Sequence, residues 1–460
     1  MSLPRIYIAS FKIVILSREF YPDVKRGGAV FVRKLYNLLR QYMKHVAVVT
    51  VFWSISVKGR NDHVYALRIP KGALRLLLFP LYVLFAIHII RKGEYQFIIS
   101  NGVYEALIPM MLNKPFAIVI HDDAPFTVGL LSKALINMVL RRASLIICPS
   151  HTTARMVKIY ANADVGGKII VLHNFIGDRE LELIRKINGK ILYHLYPRLK
   201  TLRSYRKVLF IGKASEHKGF PALLKAMKML KENGYQVLLL VIGPGLSYRE
   251  DLENSVIYLG EVSDIVKIAC LKEADIFILP SVAHEGFGIA IIEAMAVGKP
   301  LVLGNVAAFK EVAGNAALFV DGRNPQSIYN ALKRLLEDVH LQKKLALESI
   351  KRIYLFNEER VSKQCLRLIK YITKVLRNIK NNSNIYLFTR FKSNTYLSIL
   401  NYVRAASLPT NYSGNNPFPS MQSKPLSRSL TFYNLSFLSC STFIFTGTSI
   451  IIAVSVMIIL

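Results

Sequence analysis

Twice along this chain, short runs of Ile, Val and Leu recur without polar interruption, each followed by a longer stretch of helical periodicity. A strand with one wet face alternates apolar and polar side chains, whereas an unbroken apolar strand is buried on both faces. The first set of runs falls at 12–17, 46–51, 97–100, 116–120, 145–148 and 169–172; the second at 208–211, 237–242, 256–259, 276–279, 301–303 and 318–320. Apolar strands alternating with helices predict α/β architecture with parallel, doubly wound sheets. Twelve strands in two sets predict two Rossmann-like domains facing a cleft, joined near 174–206 where the pattern weakens. The expected division is 1–180, then 181–370 with a last helix packing back on the first domain, then an irregular tail at 371–460. Ligands of such sheets lie beyond the carboxyl ends of the strands, so functional residues are sought there.

The chain carries 61 Lys and Arg against 29 Asp and Glu, a net charge of +32. An excess of that size attracts phosphate, whether in nucleic acid, lipid headgroups or a nucleotide. No zinc-finger spacing, RNP-like strand or basic region followed by heptads accompanies it, so a nucleic-acid reading rests on charge alone. The cysteines, Cys148, Cys270, Cys365 and Cys440, show no CxxC spacing. That argues against a zinc knuckle, a thioredoxin motif or a disulfide framework, and for a reducing compartment. Residues 1–11 lack the apolar core of a secretory leader. A cytoplasmic protein at the cytoplasmic face of a membrane is expected.

Glu359 is the last acidic residue, and 101 residues follow it. Residues 407–429, rich in Ser, Pro and Asn, read as loop. Residues 443–460 are nearly all apolar, and a spanning helix needs about 20 such residues. This end reads either as a tail anchor or as sequence foreign to the native protein. Another apolar stretch, 73–90, is interrupted by Pro80. It reads as a helix packed on the first sheet, with an interfacial helix flanked by basic residues as the alternative.

The most informative segment is 276–297, IFILPSVAHEGFGIAIIEAMAV. A buried strand runs into Pro280 and Ser281, then Glu285-Gly286-Phe287-Gly288, then a helical pattern holding Glu293. Glycines at a strand-to-helix turn let backbone approach a ligand, and free N–H groups at a helix start attract phosphate. Carboxylates repel phosphate but accept hydrogen bonds from sugar and ribose hydroxyls, so the combination points to a nucleotide sugar. The plain alternative is a solvated loop charge at Glu285 and a helix-dipole partner at Glu293. After the run 208–211, Lys213 and Lys218 flank another strand-to-helix turn, Gly212 to Gly219. Each alone reads as a surface charge; together they suit a diphosphate.

These residues resemble the donor-binding half of glycosyltransferase family 4, the group 1 family, whose members have the two-Rossmann-domain GT-B fold. The matching elements are Glu285 and Glu293 in the EGFG…EA setting and the Lys213…Lys218-Gly219 turn. Gly243-Pro244-Gly245, and Ala274-Asp275 ahead of Pro280-Ser281, also match. The resemblance spans about 12–370 and is more specific in its second half. It implies transfer of a sugar from a nucleoside diphosphate donor to a hydroxyl of a glycan or lipid-linked acceptor, with retention. It places Glu285 at the sugar, Glu293 at the ribose, Lys213 and Lys218 at the diphosphate, and Gly286, Phe287 and Gly288 along the donor. In the first domain it implies that Gly27 and Gly28 approach the donor phosphates and that His121 lies near the sugar. Glu285, His121 and Lys218 are the expected catalytic residues, with Arg18 and Asn101 as lesser candidates at strand ends. Lys213 stands where the family usually has arginine, and Lys310, beside Glu311, replaces a small residue or proline.

No Asp-x-Asp triplet occurs, so neither a metal nor any cofactor besides the donor is expected. The basic first domain, with 24 basic and 10 acidic residues in 1–180, suggests an acidic or membrane-borne acceptor and an anionic membrane surface. Two alternatives carry weight: a nucleotide-sugar 2-epimerase on the same fold, and a non-catalytic basic protein that binds nucleic acid.

Overall fold

The computed structural model describes residues 11–21, 24, 27–52, 63–68, 79–122, 130–162, 164–251, 255–283 and 285–383. Most of the tail, including 443–460, lies outside them, as do 73–78 of the second apolar stretch. Residues 1–375 form one compact unit; of the second unit, 376–459, the described part is the end of helix Glu358–Ser383.

The first unit holds two seven-stranded sheets. In the first, β1 (Ile13–Leu16), β2 (Val46–Phe52), β3 (Val64–Arg68), β4 (Phe97–Ser100), β5 (Phe116–Val119), β6 (Leu145–Cys148) and β7 (Ile169–Val171) lie in the order 3-2-1-4-5-6-7, parallel throughout. In the second, β8 (Arg206–Ile211), β9 (Val237–Ile242), β10 (Arg249–Asp251), β11 (Val256–Gly260), β12 (Ile276–Leu279), β13 (Leu301–Gly304) and β14 (Ala317–Val320) lie in the order 10-11-9-8-12-13-14. Among the described strands, β10 alone runs antiparallel, against β11.

The central strands are apolar because both faces are covered: every residue of β1, β4, β5, β6, β9, β12 and β13 is buried. Each fully buried Ile, Leu or Val contributes about 1.5–3 kcal/mol, so these runs dominate the core. Among the described residues there are fourteen strands, against the twelve expected. The additional two, β3 and β10, are edge strands. Residues 64–67 of β3 are half-buried, and β10 reads Arg-Glu-Asp with two of its three residues exposed. A strand covered on fewer sides needs no apolar run, so none announced it.

In each sheet the first strand sits where the order reverses, β1 beside β4 and β8 beside β12. Crevices at such switch points are where doubly wound sheets take ligands. The segment between the sheets folds as three short helices, Asp178–Lys186, Ile191–Leu195 and Pro197–Thr201. The chain then returns from the second sheet to the first. Ile176 bridges Asn357, Gln41 donates to Glu358 at 2.7 Å, and the His173 N–H donates to Gln364 at 2.9 Å.

Helix Phe79–Lys92 packs on β2 and β3 through Tyr82, Val83, Ala86 and Ile90. That matches the sheet-packed expectation for this part of the stretch, yet Leu81 and Leu84 stay exposed on the other side, at 47% and 55%. Among the described residues no helix is long and apolar enough to cross a membrane. Cys148, Cys270 and Cys365 are buried and free.

Candidate functional site

The second sheet brings two loops together at its switch point. From β8 the chain passes Gly212 and Lys213 into a short turn, Glu216–Lys218, then through Gly219 into helix Phe220–Glu232. Gly219 has φ +68°, and a Cβ there would sit 2.1 Å from the Pro280 carbonyl oxygen, so only glycine fits. From β12 the chain passes Pro280 and Ser281 to Glu285 and enters helix Ile289–Ala296. The Val282 N–H donates to the His217 carbonyl at 2.9 Å, tying one loop to the other.

Glu285 is thereby set between two donors. Ser281 Oγ donates to its Oε1 at 2.7 Å, and the Lys218 ammonium forms an ion pair with the same oxygen. Lys218 and Glu285 keep only 20% and 10% of their side-chain surface. An ammonium has three donors, so the contact with Glu285 leaves Lys218 others for phosphate oxygens. Lys213 is exposed on the preceding turn.

Glu293, on helix Ile289–Ala296, accepts from Lys267 Nζ at 2.7 Å. Lys267 also pairs with Asp264 Oδ1 at 3.2 Å, both on helix Asp264–Glu273. Burial opposes the charge on Lys267, but the two carboxylates outweigh it and hold its pKa above the ordinary lysine value. Tyr21, from the first lobe, donates its hydroxyl to Asp264. Burial, and then the bond to that carboxylate, push the Tyr21 pKa up. Neither Lys267 nor Asp264 was singled out from the sequence. They belong to an ordinary amphipathic helix, and only the packing of that helix beside Ile289–Ala296 discloses them.

The first lobe answers with uncharged groups. His121 follows β5, Asn101 follows β4 and Ser17 follows β1. Ser17 Oγ donates to the Glu19 carbonyl at 2.6 Å and accepts from Asn101 Nδ2 at 3.0 Å. That orients the amide so that Asn101 Oδ1, 2.7 Å from His121 Nε2, must accept. His121 therefore carries its proton on Nε2 and presents Nδ1 as an acceptor. Burial lowers its pKa to about 4, so the ring is neutral at pH 7. A Cβ on Gly28 would contact His121 Nε2 at 3.4 Å, and one on Gly27 would meet Ile289 of the second lobe at 3.8 Å.

The two loop systems touch. A Cβ on Gly286 would lie 1.5 Å from the His121 carbonyl oxygen, and Thr153 Oγ1 donates to the Gly286 carbonyl at 3.2 Å. Glycine is required at 286 because the lobes meet there backbone to backbone. Gly288 starts the helix from φ +90°. Phe287 departs from expectation: its ring is 4% exposed, centred 6.0 Å from His173 and 5.4 Å from Phe356. It is a packing group beneath the loop. Asp275, part of the same motif, is structural as well. It accepts from the Lys207 N–H at 2.7 Å and pairs with Arg206 at 3.2 Å, at the amino ends of β8 and β12.

A further interlobe contact went unpredicted. Glu311, on helix Ala307–Ala313, accepts from the His151 N–H at 2.7 Å, the Thr152 N–H at 2.6 Å and Thr152 Oγ1 at 2.7 Å. It thus caps helix His151–Tyr160 of the first lobe. Burial alone would raise its pKa, but the nearby His173 ring and hydrogen bonds from Thr152 and the His151 N–H outweigh that and pull it to about 2. Ligand atoms of His151, His173 and Glu311 lie within 4.8 Å of one another. Their bonding does not suit a metal. Gln364 Oε1 is held by the His173 N–H, so its Nε2, 2.9 Å from His173 Nδ1, donates. The His173 proton then sits on Nε2, facing Glu311 Oε1 at 3.6 Å, where a ligand nitrogen would need a lone pair.

Residues 199–352 match the family described as "Glycosyl transferases group 1". Phosphatidyl-myo-inositol mannosyltransferase of Mycolicibacterium smegmatis is 31% identical over 179 residues, covering 37% of this chain and 46% of that protein. N,N'-diacetylbacillosaminyl-diphospho-undecaprenol alpha-1,3-N-acetylgalactosaminyltransferase of Campylobacter jejuni is 31% identical over 180 residues, with the same coverage. The chain spans about half the length of these relatives. In fold it is similar to sucrose-phosphate synthase of Thermosynechococcus elongatus, with TM-score 0.67, 19% identity, and 79% of this chain and 100% of that one covered. It is similar too to Anabaena Alr3699/HepE in complex with UDP and glucose, with TM-score 0.64, 20% identity, and 78% and 99% covered. The two-sheet architecture is thus the GT-B fold.

Proposed function

With residues 199–352 matching the group 1 glycosyltransferase family, we propose that this chain transfers a sugar from a nucleoside diphosphate donor to a hydroxyl of a phosphate-bearing, lipid-linked acceptor. The observation that carries this reading is the meeting, through Gly286, of the Lys218–Glu285 pair with the neutral His121–Asn101 pair. Both stand beyond strand carboxyl ends, beside the two switch points.

In this mechanism the hard step is departure of the diphosphate, on which negative charge grows. Lys218, with Lys213 nearby, stabilises that charge more in the transition state than before it. Glu285 and His121 Nδ1 accept hydrogen bonds from sugar hydroxyls and fix the ring's place. Glu293, steadied by Lys267, holds the ribose. The leaving phosphate takes the acceptor proton, which gives retention without a protein nucleophile, and the lysines do the work that a metal does in other donor sites.

The acceptor class draws on the relatives. Both mannosyl- and galactosaminyl-transferring relatives carry in their names an acceptor with a phosphate on a lipid. The net basic charge of 1–180 suits such an acceptor, and with it an anionic membrane surface. A thermal-shift panel of UDP-, GDP- and ADP-sugars tests the donor half, since a ligand that binds only the folded state raises Tm. No shift with any of them would sink the reading. Incubation with the donor alone separates transfer from epimerisation, which yields a new nucleotide sugar without an acceptor.

A further inference from the structure

Arg18 lies two residues beyond β1, next to Ser17, whose hydroxyl anchors Asn101. Its guanidinium is held on three sides. Nε donates to Glu105 Oε1 at 2.6 Å, and the guanidinium carbon lies 5.4 Å from the Phe79 ring centre and 5.3 Å from that of Tyr104. Glu105 is 2% exposed, while Arg18 keeps 32% of its side chain open. Arginines that pair with carboxylates frequently grip both oxygens with the fork. Here Glu105 Oε2 has no hydrogen-bond partner. The contact is made through Nε alone, and the Nη edge is left unspent on Glu105.

That geometry presents a pre-oriented fork at the switch point of the first sheet, on the lobe opposite the donor lysines. A planar fork of this kind recognises phosphate bidentately, and two aromatic walls remove most of the rotamer entropy that binding would otherwise cost. One wall, Phe79, begins helix Phe79–Lys92, whose exposed face carries Leu81 and Leu84. An apolar ledge therefore starts where the fork is held.

We propose that the Nη edge of Arg18 binds a phosphate of the acceptor, with Leu81 and Leu84 meeting the acceptor's apolar part. The assignment deepens the transferase reading and rests on it for the word acceptor. Its test reads binding rather than turnover, so the two can fail separately.

The full-length protein would be assayed by co-sedimentation with phosphatidylcholine vesicles, with and without phosphatidylinositol, and by titration with glycerol 3-phosphate. Arg18→Gln leaves a buried carboxylate unpaired, so Arg18→Gln/Glu105→Gln is the companion that keeps the site neutral. Arg91→Gln, at an exposed helix end, removes the same charge elsewhere. A charge-assisted contact of this kind is expected to supply about tenfold or more in affinity. The double variant should lose that much, Arg18→Lys an intermediate amount, and Arg91→Gln less than about twofold. Loss on phosphatidylinositol vesicles alone assigns the fork to a lipid headgroup; loss for glycerol 3-phosphate as well assigns it to phosphate esters in general. Equal binding by wild type and double variant in both arms overturns the proposal. UDP and GDP titrations of the same proteins report separately on the donor site. If neither nucleotide binds while the Arg18 effect persists, the donor reading falls and the phosphate site stands.

Discussion

Where the two lobes meet at Gly286, they bring side chains of different electrostatic character. The second lobe works with paired charges: Lys218 against Glu285, and Lys267 against Glu293 and Asp264. Facing it, beside the separate Arg18–Glu105 pair, the first holds a neutral relay, Ser17 to Asn101 to a histidine that burial keeps uncharged. Charges suit a ligand that arrives with two phosphates, because an ammonium can exchange or share its carboxylate for phosphate oxygens at little reorganisation. Neutral groups suit hydroxyls, which need orientation more than attraction. The contrast teaches that the proposed donor side is built for strength and the sugar side for direction.

The largest effect expected breaks the contrast from the charged side. Lys218→Gln removes the cation nearest the proposed leaving group and should lower turnover about 10²- to 10³-fold while the fold persists. Single-turnover kinetics would check this, and wild-type rates would remove Lys218 from the chemistry. Lys267→Met leaves Glu293 and Asp264 facing each other without a counter-ion. Breaking a largely buried pair should cost about 3 kcal/mol, at the low end because Lys267 keeps some solvent contact, and donor KM should rise. Urea unfolding and kinetics report the two parts.

On the neutral side, Asn101→Ala frees the His121 tautomer and should lower turnover about tenfold, the usual weight of one orienting hydrogen bond lost with its partner left unsatisfied. Because the His121 pKa is near 4, the ring stays neutral above about pH 5, and the acid limb of the rate profile should show no step near 6.5. Such a step, abolished in His121→Gln, would mean that the ring titrates and the relay is not neutral. As a stability term, a lowered histidine pKa contributes fully above about 6.5 and is lost as pH falls toward 4.

The smallest effect sharpens the comparison where the lobes clasp. Glu311→Gln keeps the shape of the cap but not its charge, and should cost about 1 kcal/mol near neutral pH. The Glu311 pKa is depressed to about 2, so its contribution is present above the ordinary value of 4.5 and lost as pH falls through about 2. The gap between wild type and variant should therefore close across that window. A gap that stays constant down to pH 2 would show the carboxylate to be idle.

Much of this was legible before the structure. Glu285 and Lys218 could be singled out because they stand in strand-to-helix turns, where glycines and a strand end leave a local signal, and Glu293 because its helix follows one of those turns directly. Asn101 and Arg18 stood at strand ends too, but nothing nearby in the chain distinguished them from surface polar groups. Lys267 was illegible, and of Glu311 only its segment drew notice and not the helix that it caps, since each sits on a helix of ordinary pattern and gains meaning from what lies across from it. Phe287 shows the converse: at a loop position beside two glycines, its ring turns into the core.

By itself, the sequence determined that there would be two sheets of doubly buried parallel strands, because unbroken runs such as IVIL and VLLLVI have no stable place except between two helical layers. Tertiary structure alone decided which charges meet. Lys218 reaches Glu285 across 67 residues, and Glu311 reaches the His151 N–H across 160. Local periodicity carries the burial of an element, whereas a distance between loops is set by how whole lobes pack, and no short stretch of chain encodes it.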